Sequence, residues 1–233
     1  MLVLAFDTAM TRCSVALGAD GRCLAKRGRD MARGQAEALL PMIAETLEAA
    51  GVTDMARLAA LAVIHGPGSF TGVRIAVAAA RGLACALAIP VVSLTSLEVV
   101  AAQAAAAWPQ GAGTLLVVQD ARRGEVYGQV FAMTAGALPV AKTAPALLTL
   151  AQARRRAQAA ALVAGTAAAL VGNKGSAAVS PADPLPRAAT MLRVAQGRPA
   201  RPHGEVHPFY LRPPDAKLPA LNPVSTLRQR LHP

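Results

Sequence analysis

The stretch from Gly66 to Gly82 constrains the fold more than any other: Gly66-Pro67-Gly68-Ser69-Phe70-Thr71-Gly72-Val73-Arg74-Ile75, then Ala76-Val77-Ala78-Ala79-Ala80-Arg81-Gly82. An apolar run, Leu58 to Ile64, leads into it, and a nearly all-apolar helix leaves it. Three glycines between a strand and a helix mark a turn in which the backbone needs a positive φ or a close approach to another segment. Free N–H groups at such a helix start, with the helix dipole behind them, favour an anion, and Ser69 or Thr71 can cap the helix. Neither phosphate-loop pattern fits, because no Lys-Ser/Thr follows and Gly66, Gly68 and Gly72 are spaced G-x-G-x-x-x-G. Two readings stay open: a loop that holds phosphate, or a tight turn that lets a small-residue helix pack closely.

Composition narrows the class. With 233 residues, 54% hydrophobic and 16% charged, the chain can bury a substantial core in one domain or two small ones. Much of the apolar content is alanine, which suits closely packed helices. The longest apolar run, Val73 to Ile89, is interrupted by Arg74, Arg81 and Gly82, and reads as too short and too charged to cross a bilayer. The amino terminus has no basic region before its apolar run and Asp7 directly after, so it does not read as a signal peptide, and a cytoplasmic location is expected. Cys13, Cys23 and Cys85 are odd in number and form no C-x-x-C, which fits reduced, mostly buried residues and neither a disulfide framework nor a metal site.

The net charge of +11 is uneven. Residues 1–100 carry nine Lys or Arg against eight Asp or Glu, and residues 101–233 carry fifteen against five. A basic half can attract a phosphate polymer, so a tRNA contact stays open. None of the seven aromatics alternates with the basic runs, so no stacking platform for single-stranded nucleic acid is written in the sequence. Arg154-Arg155-Arg156 fits the solvated face of a helix equally well.

Taken in order, residues 2–7, 13–17 and 23–27 read as three strands with a turn at Asp20-Gly21. Arg33 to Ala50 reads as an amphipathic helix around Leu39, Ile43 and Leu47, stopped by Gly51. The strand Leu58 to Ile64, the glycine turn, the alanine-rich helix and the strand Val91 to Leu94 close a first unit near residue 100. Thr95 and Ser96 cap a helix to Ala107. A hairpin then joins Thr114 to Gln119 with Glu125 to Met133, and a helix (148–160), a strand (161–164) and a helix (187–195) follow. The expected division is 1–100 for an amino-terminal unit, 101–215 for a second unit and 216–233 for a flexible, proline-rich tail.

Several residues invite chemistry. Asp7 and Thr8 end the first strand, where a carboxylate and a hydroxyl can hold a metal-bound water or a phosphate; they can equally cap the next turn. With Gly68 and Ser69 they are the candidate cofactor-binding positions. His203 and His207 are spaced H-x-x-x-H, but Pro202, Gly204 and Pro208 argue against the helix that a metal pair needs, and no metal site is expected. His65 is a candidate base by position alone. The alanine-rich helix is apolar on nearly every side, and Leu40, Ala44 and Leu47 widen the apolar face of the first helix beyond one core contact. Two neighbouring helices with spare apolar surface predict a docking patch for a second copy or a homologue, built from Leu39, Leu40, Ile43, Leu47, Ile75, Ala79 and Leu83. Gly66, Gly68, Ser69, Gly72 and Arg74 fix the turn that aims the second of them.

The ten residues from Gly66 to Ile75 strongly resemble the signature of the TsaB (YeaZ) family. Leu4-Ala5-Phe6-Asp7-Thr8-Ala9, Cys13 to Leu17, Leu40-Pro41-Met42, Asp120 to Tyr127 and Phe209-Tyr210-Leu211-Arg212 resemble it in the same order. Residues from about 134 to 200 carry little of the likeness. The resemblance implies an α/β fold of two actin-like subdomains (the ASKHA, sugar kinase and Hsp70 class), each a mixed sheet with helices. It implies a non-catalytic subunit without cofactor that pairs its two apolar helices with those of TsaD, is joined by TsaE, and supports threonylcarbamoyl transfer to the adenosine beside the anticodon of tRNA. Without TsaD, the same helices would form a homodimer. In ATP-using relatives of the fold a second glycine-rich hairpin grips phosphate; here Arg122 and Arg123 stand in it, so the clamp looks incomplete. The metal histidines of the related TsaD have no counterpart on the first helix, where Gln35 and Glu37 stand. Two rivals remain, an ATP-dependent phosphotransferase of this fold and a metallopeptidase-like protein.

Overall fold

The computed structural model describes residues 1–108, 111–172 and 178–212. Strands β1 (Leu2–Met10), β2 (Arg12–Ala19) and β3 (Arg22–Asp30) form the expected antiparallel meander, turning at Asp20-Gly21 with φ of 50° and 78°. Helix α1 (Gln35–Ala49), strand β4 (Leu58–Gly66), helix α2 (Phe70–Leu87) and strand β5 (Val91–Thr95) follow, and two parallel pairings give the sheet order β3-β2-β1-β4-β5. Helices α1 and α2 touch each other and cover one face, α1 over β2 and α2 over β1 and β4. A later helix covers the other face. The centre of the sheet is thus buried on both sides, which is why β1 and β4 read as continuous apolar runs and not as alternating ones.

Helix α3 (Ser96–Ala106) begins with a capping box: the Thr95 hydroxyl accepts from the Glu98 N–H, and the Glu98 carboxylate accepts from the Thr95 N–H. It leads to a second sheet made of β6 (Gly113–Asp120), β7 (Glu125–Met133), β8 (Val140–Ala141), β9 (Ala146–Thr149), β10 (Leu162–Ala164) and β11 (Ala178–Val179). Its order is β11-β10-β6-β7-β8, with β9 also on β7, and α4 (Leu150–Ala157) and the single turn α5 (Ala168–Val171) pack against it. The helix expected from residue 148 starts at 150, because Ala146–Thr149 continues as a strand on β7 and Thr149 caps the helix.

The largest departure from expectation lies in helix α6 (Ala188–Ala195). The expected second unit, 101–215, includes it, yet Met191, Leu192 and Val194, with Val206 beyond them, belong to the core of the first sheet. Its neighbours are the five strands of that sheet, with α3 beside it. A sheet has two faces, and α1 and α2 cover only one, so the amphipathic α6 returns to close the other. Asp183 ties the crossing segment down, its carboxylate accepting from Arg12 at 2.5 Å and from Arg187 at 2.9 Å. The expected flexible tail, 216–233, lies outside the described residues.

Two smaller expectations are corrected. Only Cys13 is buried; Cys23 and Cys85 are exposed, Cys23 on an edge strand and Cys85 on the outer side of α2. Helix α2 begins at Phe70 and has 18 residues, long and apolar enough by length and composition to cross a membrane. In this fold Gly72, Val73, Ala76, Val77, Ala80 and Ala84 face its own sheet.

Candidate functional site

The glycine turn is held by backbone contact. Ser69 N–H donates to the Ala9 carbonyl at 2.7 Å, the Ser69 hydroxyl accepts from Gly72 N–H at 3.0 Å, and the Thr8 hydroxyl donates to the Gly72 carbonyl at 2.7 Å. A Cβ at Gly68 would stand 2.4 Å from the Ala9 oxygen, and one at Gly72 2.0 Å from the Thr8 oxygen. The turn therefore packs on the end of β1, and its Ser69 and Gly72 N–H groups are taken by the Ala9 carbonyl and the Ser69 hydroxyl, where a phosphate loop would present them to a ligand. The close-packing alternative is the one realised.

Thr8 bonds to this turn and Asp7 precedes it on β1, and both are fully buried, so neither is open to a nucleotide. Asp7 Oδ1 accepts from Ala9 N–H at 2.8 Å, while its Oδ2 has no partner among the described residues. Burial pushes the Asp7 carboxyl up to about 7, against the Ala9 and Thr8 N–H groups and the Arg12 guanidinium, which act to lower it. Burial, with the Asp7 charge behind it, likewise pushes the neighbouring Cys13 thiol up to about 11, so Cys13 is an inert core residue.

The second hairpin departs from a phosphate clamp in a different way. Arg122 and Arg123 adopt φ of 63° and 57°, a left-handed conformation that glycine tolerates best, and Gly124 follows at 74°. The Asp120 carboxylate accepts from Arg122 N–H at 2.7 Å, and Glu125 holds Arg212 at 2.5 Å. Both acidic groups are thus engaged in holding the hairpin and the carboxy-terminal segment.

Arg74 does not brace the glycine turn. Its Nε donates to the Tyr210 hydroxyl at 3.0 Å and its guanidinium lies 3.7 Å from the Phe70 ring centroid, with Phe70 and Tyr210 stacked at 5.3 Å. One residue earlier, Phe209 N–H donates to the His65 carbonyl at 2.7 Å and its ring stacks on His65. A Cβ at Gly66 would stand 2.2 Å from the Phe209 oxygen. The carboxy-terminal segment is therefore what clasps the entry to α2.

Of the seven expected docking residues, Leu39, Ile43 and Leu47 are corrected: they are 1%, 3% and 5% exposed and sit in the first core. The stripe at i, i+4 is the face that α1 turns to β2, so it has nothing to offer a partner. Leu40 is 56% exposed, and Ile75, Ala79 and Leu83 are half-buried between core and solvent. Residues not anticipated complete the surface: Phe70 (52% exposed) and Tyr210 (40%) at one end, then Ala78, Gly82 and Ala86 along the outer face of α2. The spacing Phe70, Arg74, Ala78, Gly82, Ala86 is the signal that marks this outward stripe. His203 lies on a 3-10 turn (His203–Glu205) and His207 beyond its end, not on one helix face. Among the described residues no three His, Cys, Asp or Glu side chains gather as a metal site would need.

A solved structure of YeaZ from Pseudomonas aeruginosa superposes with a TM-score of 0.75 at 32% identity, covering 90% of this chain and 99% of that one. The chain belongs to the TsaB (YeaZ) family. A second Pseudomonas aeruginosa structure, described as similar to peptidase YEAZ, gives a TM-score of 0.77 at 34% identity over 91% of this chain and 99% of that one. TsaB of Escherichia coli, named a tRNA threonylcarbamoyladenosine biosynthesis protein, is 41% identical over 128 residues, 54% of this chain and 53% of that protein. TsaB of Bacillus subtilis is 33% identical over 140 residues, 59% of this chain and 58% of that protein. The chain thus spans about half the length of the curated relatives it matches. The family model of TsaD, tRNA N6-adenosine threonylcarbamoyltransferase, matches residues 29–169. The two mixed sheets with their helices are the α/β fold of two actin-like subdomains that TsaB membership implies.

Proposed function

We propose that this TsaB-family chain is a non-catalytic docking subunit in tRNA threonylcarbamoyladenosine biosynthesis. It binds a TsaD-type transferase through α1 and α2, TsaE joins that pair, and the assembly transfers threonylcarbamoyl to the adenosine beside the anticodon in the cytoplasm. The names of the relatives and the TsaD family match support the pathway. One observation carries the role: the loop that would hold phosphate in an enzyme of this class is packed against the end of β1, while the adjoining helices keep an apolar face toward solvent. Leu40, Phe70, Ile75, Ala79 and Leu83, with the small residues Ala78, Gly82 and Ala86 between them, let a second helix pair approach closely. The same face would pair two copies of the chain when TsaD is absent, and the basic second half remains a candidate tRNA contact. A phosphotransferase reading would need Asp7 and Thr8 within reach of a nucleotide, and both are fully buried.

The experiment is co-elution with the TsaD of the same organism. Ala79→Glu and Leu83→Asp put a charge on the face at half-buried positions that flank the core, and each is expected to weaken association by about 100-fold or more while the subunit keeps its circular dichroism. Co-elution at wild-type strength in both variants would contradict the reading.

A further inference from the structure

Beside the carboxy-terminal clasp, a hollow of about 450 Å3 opens at the β5 edge of the first sheet, lined among others by His65, Ser93, Arg198, Arg201, Glu205 and Phe209. Three parts of the chain build it. His65 lies near the end of β4 and Ser93 in the middle of β5, and the segment after α6 folds back across the edge, where Arg201 and Val91 exchange both backbone hydrogen bonds. That pairing fixes the backbone of Arg201 beside the hollow independently of its side chain.

The lining has a definite chemistry. His65 Nδ1 lies 3.2 Å from the His207 carbonyl oxygen, which can only accept, so Nδ1 carries the proton and Nε2 of the neutral ring is an acceptor. Burial lowers the His65 pKa, the His207 carbonyl and Glu98 oppose that shift, and the nearby Arg201 charge adds to it. The His65 and Phe209 rings stack with centroids 5.5 Å apart, and both line the hollow. Arg198 is engaged by Glu98 at 2.8 Å. Arg201, by contrast, makes no side-chain hydrogen bond or ion pair among the described residues, so its guanidinium fork is the charge available to a ligand. Glu205, the acid in the lining, can accept from hydroxyls.

We propose that this hollow binds a nucleoside monophosphate, its phosphate on Arg201, its base against the His65–Phe209 stack and its sugar hydroxyls toward Glu205. The volume falls in the range of small-molecule sites, a planar π-face suits an aromatic wall, and a phosphate matches an unpaired guanidinium. The hollow lies beside the carboxy-terminal clasp on the glycine turn, since His65 precedes Gly66 and Phe209 packs against it, but none of its lining residues is among those assigned to the α1–α2 surface, so AMP binding is read separately from docking.

The probe is AMP, titrated into the full chain by calorimetry, with adenosine and inorganic phosphate as separate titrants. AMP is expected to bind one site with a Kd of about 1 mM or tighter, and each fragment at least about tenfold more weakly. Arg201→Ala is expected to weaken AMP by about tenfold or more with the melting temperature unchanged, since the backbone pairing with Val91 survives. Should that variant melt lower, Arg201→Gln, which keeps the stem, is expected to give the same loss. The proposal is overturned if AMP shows no saturation by about 10 mM, if both Arg201 variants bind as well as wild type, or if inorganic phosphate binds as tightly as AMP, which would leave a bare anion site.

Discussion

Asp7→Asn is expected to make the chain more stable at pH 8 by up to roughly 4 kcal/mol, and to remove a fall in stability that the wild type shows between about pH 4 and 7. The sign follows from which state holds the proton. In the unfolded chain the carboxyl ionises near its ordinary 3.8, whereas in the fold it keeps its proton until about 7 because burial disfavours the charge. Below the lower value both states are protonated and the group contributes no slope. Between the two, only the folded state binds the proton, so stability is lost as pH rises, and above the upper value the loss is complete. Asparagine has the same shape, keeps an oxygen for the Ala9 N–H, and carries no charge at any pH. The check is urea unfolding of both proteins from pH 4 to pH 8, and an unchanged slope or a destabilised variant at pH 8 would contradict this account of Asp7.

Gly72→Ala is expected to destabilise the fold by about 3 kcal/mol or more, although alanine is ordinarily the better helix former. The added methyl would stand 2.0 Å from the Thr8 backbone carbonyl oxygen, which belongs to strand β1, and 2.7 Å from the Ser69 hydroxyl, which accepts from Gly72 N–H. Helix α2 must lift from β1 to accept it, which also disturbs the Ser69 cap. At Gly82, further along the same helix, an added methyl would meet nothing within 4 Å, and Gly82→Ala is expected to stabilise the free chain by about 0.5–1 kcal/mol. Opposite signs at two glycines of one helix separate steric contact from helix propensity. Denaturation midpoints decide it, and a loss below about 1 kcal/mol at Gly72 would mean that the turn yields where we describe it as closed.

The sequence was most readable where one local rule sufficed. The meander of β1 to β3, the Ser69 cap and the glycine turn follow from alternation, cap chemistry and the strand-to-helix junction, and the structure has each of them. The tertiary destination of α6 was not readable, because Met191, Leu192 and Val194 reveal an apolar face without saying which sheet it covers. Helix α1 misled for a related reason. Leu39, Leu40, Ile43, Ala44 and Leu47 form a wide stripe, and only the sheet beneath shows that Leu39, Ile43 and Leu47 are its inner part and Leu40 and Ala44 its outer edge. The clasp of Arg74 by Tyr210 joins residues 136 positions apart, beyond the reach of any periodicity. Strands as short as Val140–Ala141 and Ala178–Val179 are too brief to show an alternation at all.

The central claim is that α1 and α2 offer their outer faces to a TsaD-type partner. Hydrogen exchange of the chain alone and saturated with that partner measures it most directly, since amides under a docked helix pair exchange more slowly. The account predicts added protection concentrated in residues 35–49 and 70–87, with the second sheet little changed. Protection confined to β6 and β7, with both helices exchanging as in the free chain, would contradict it.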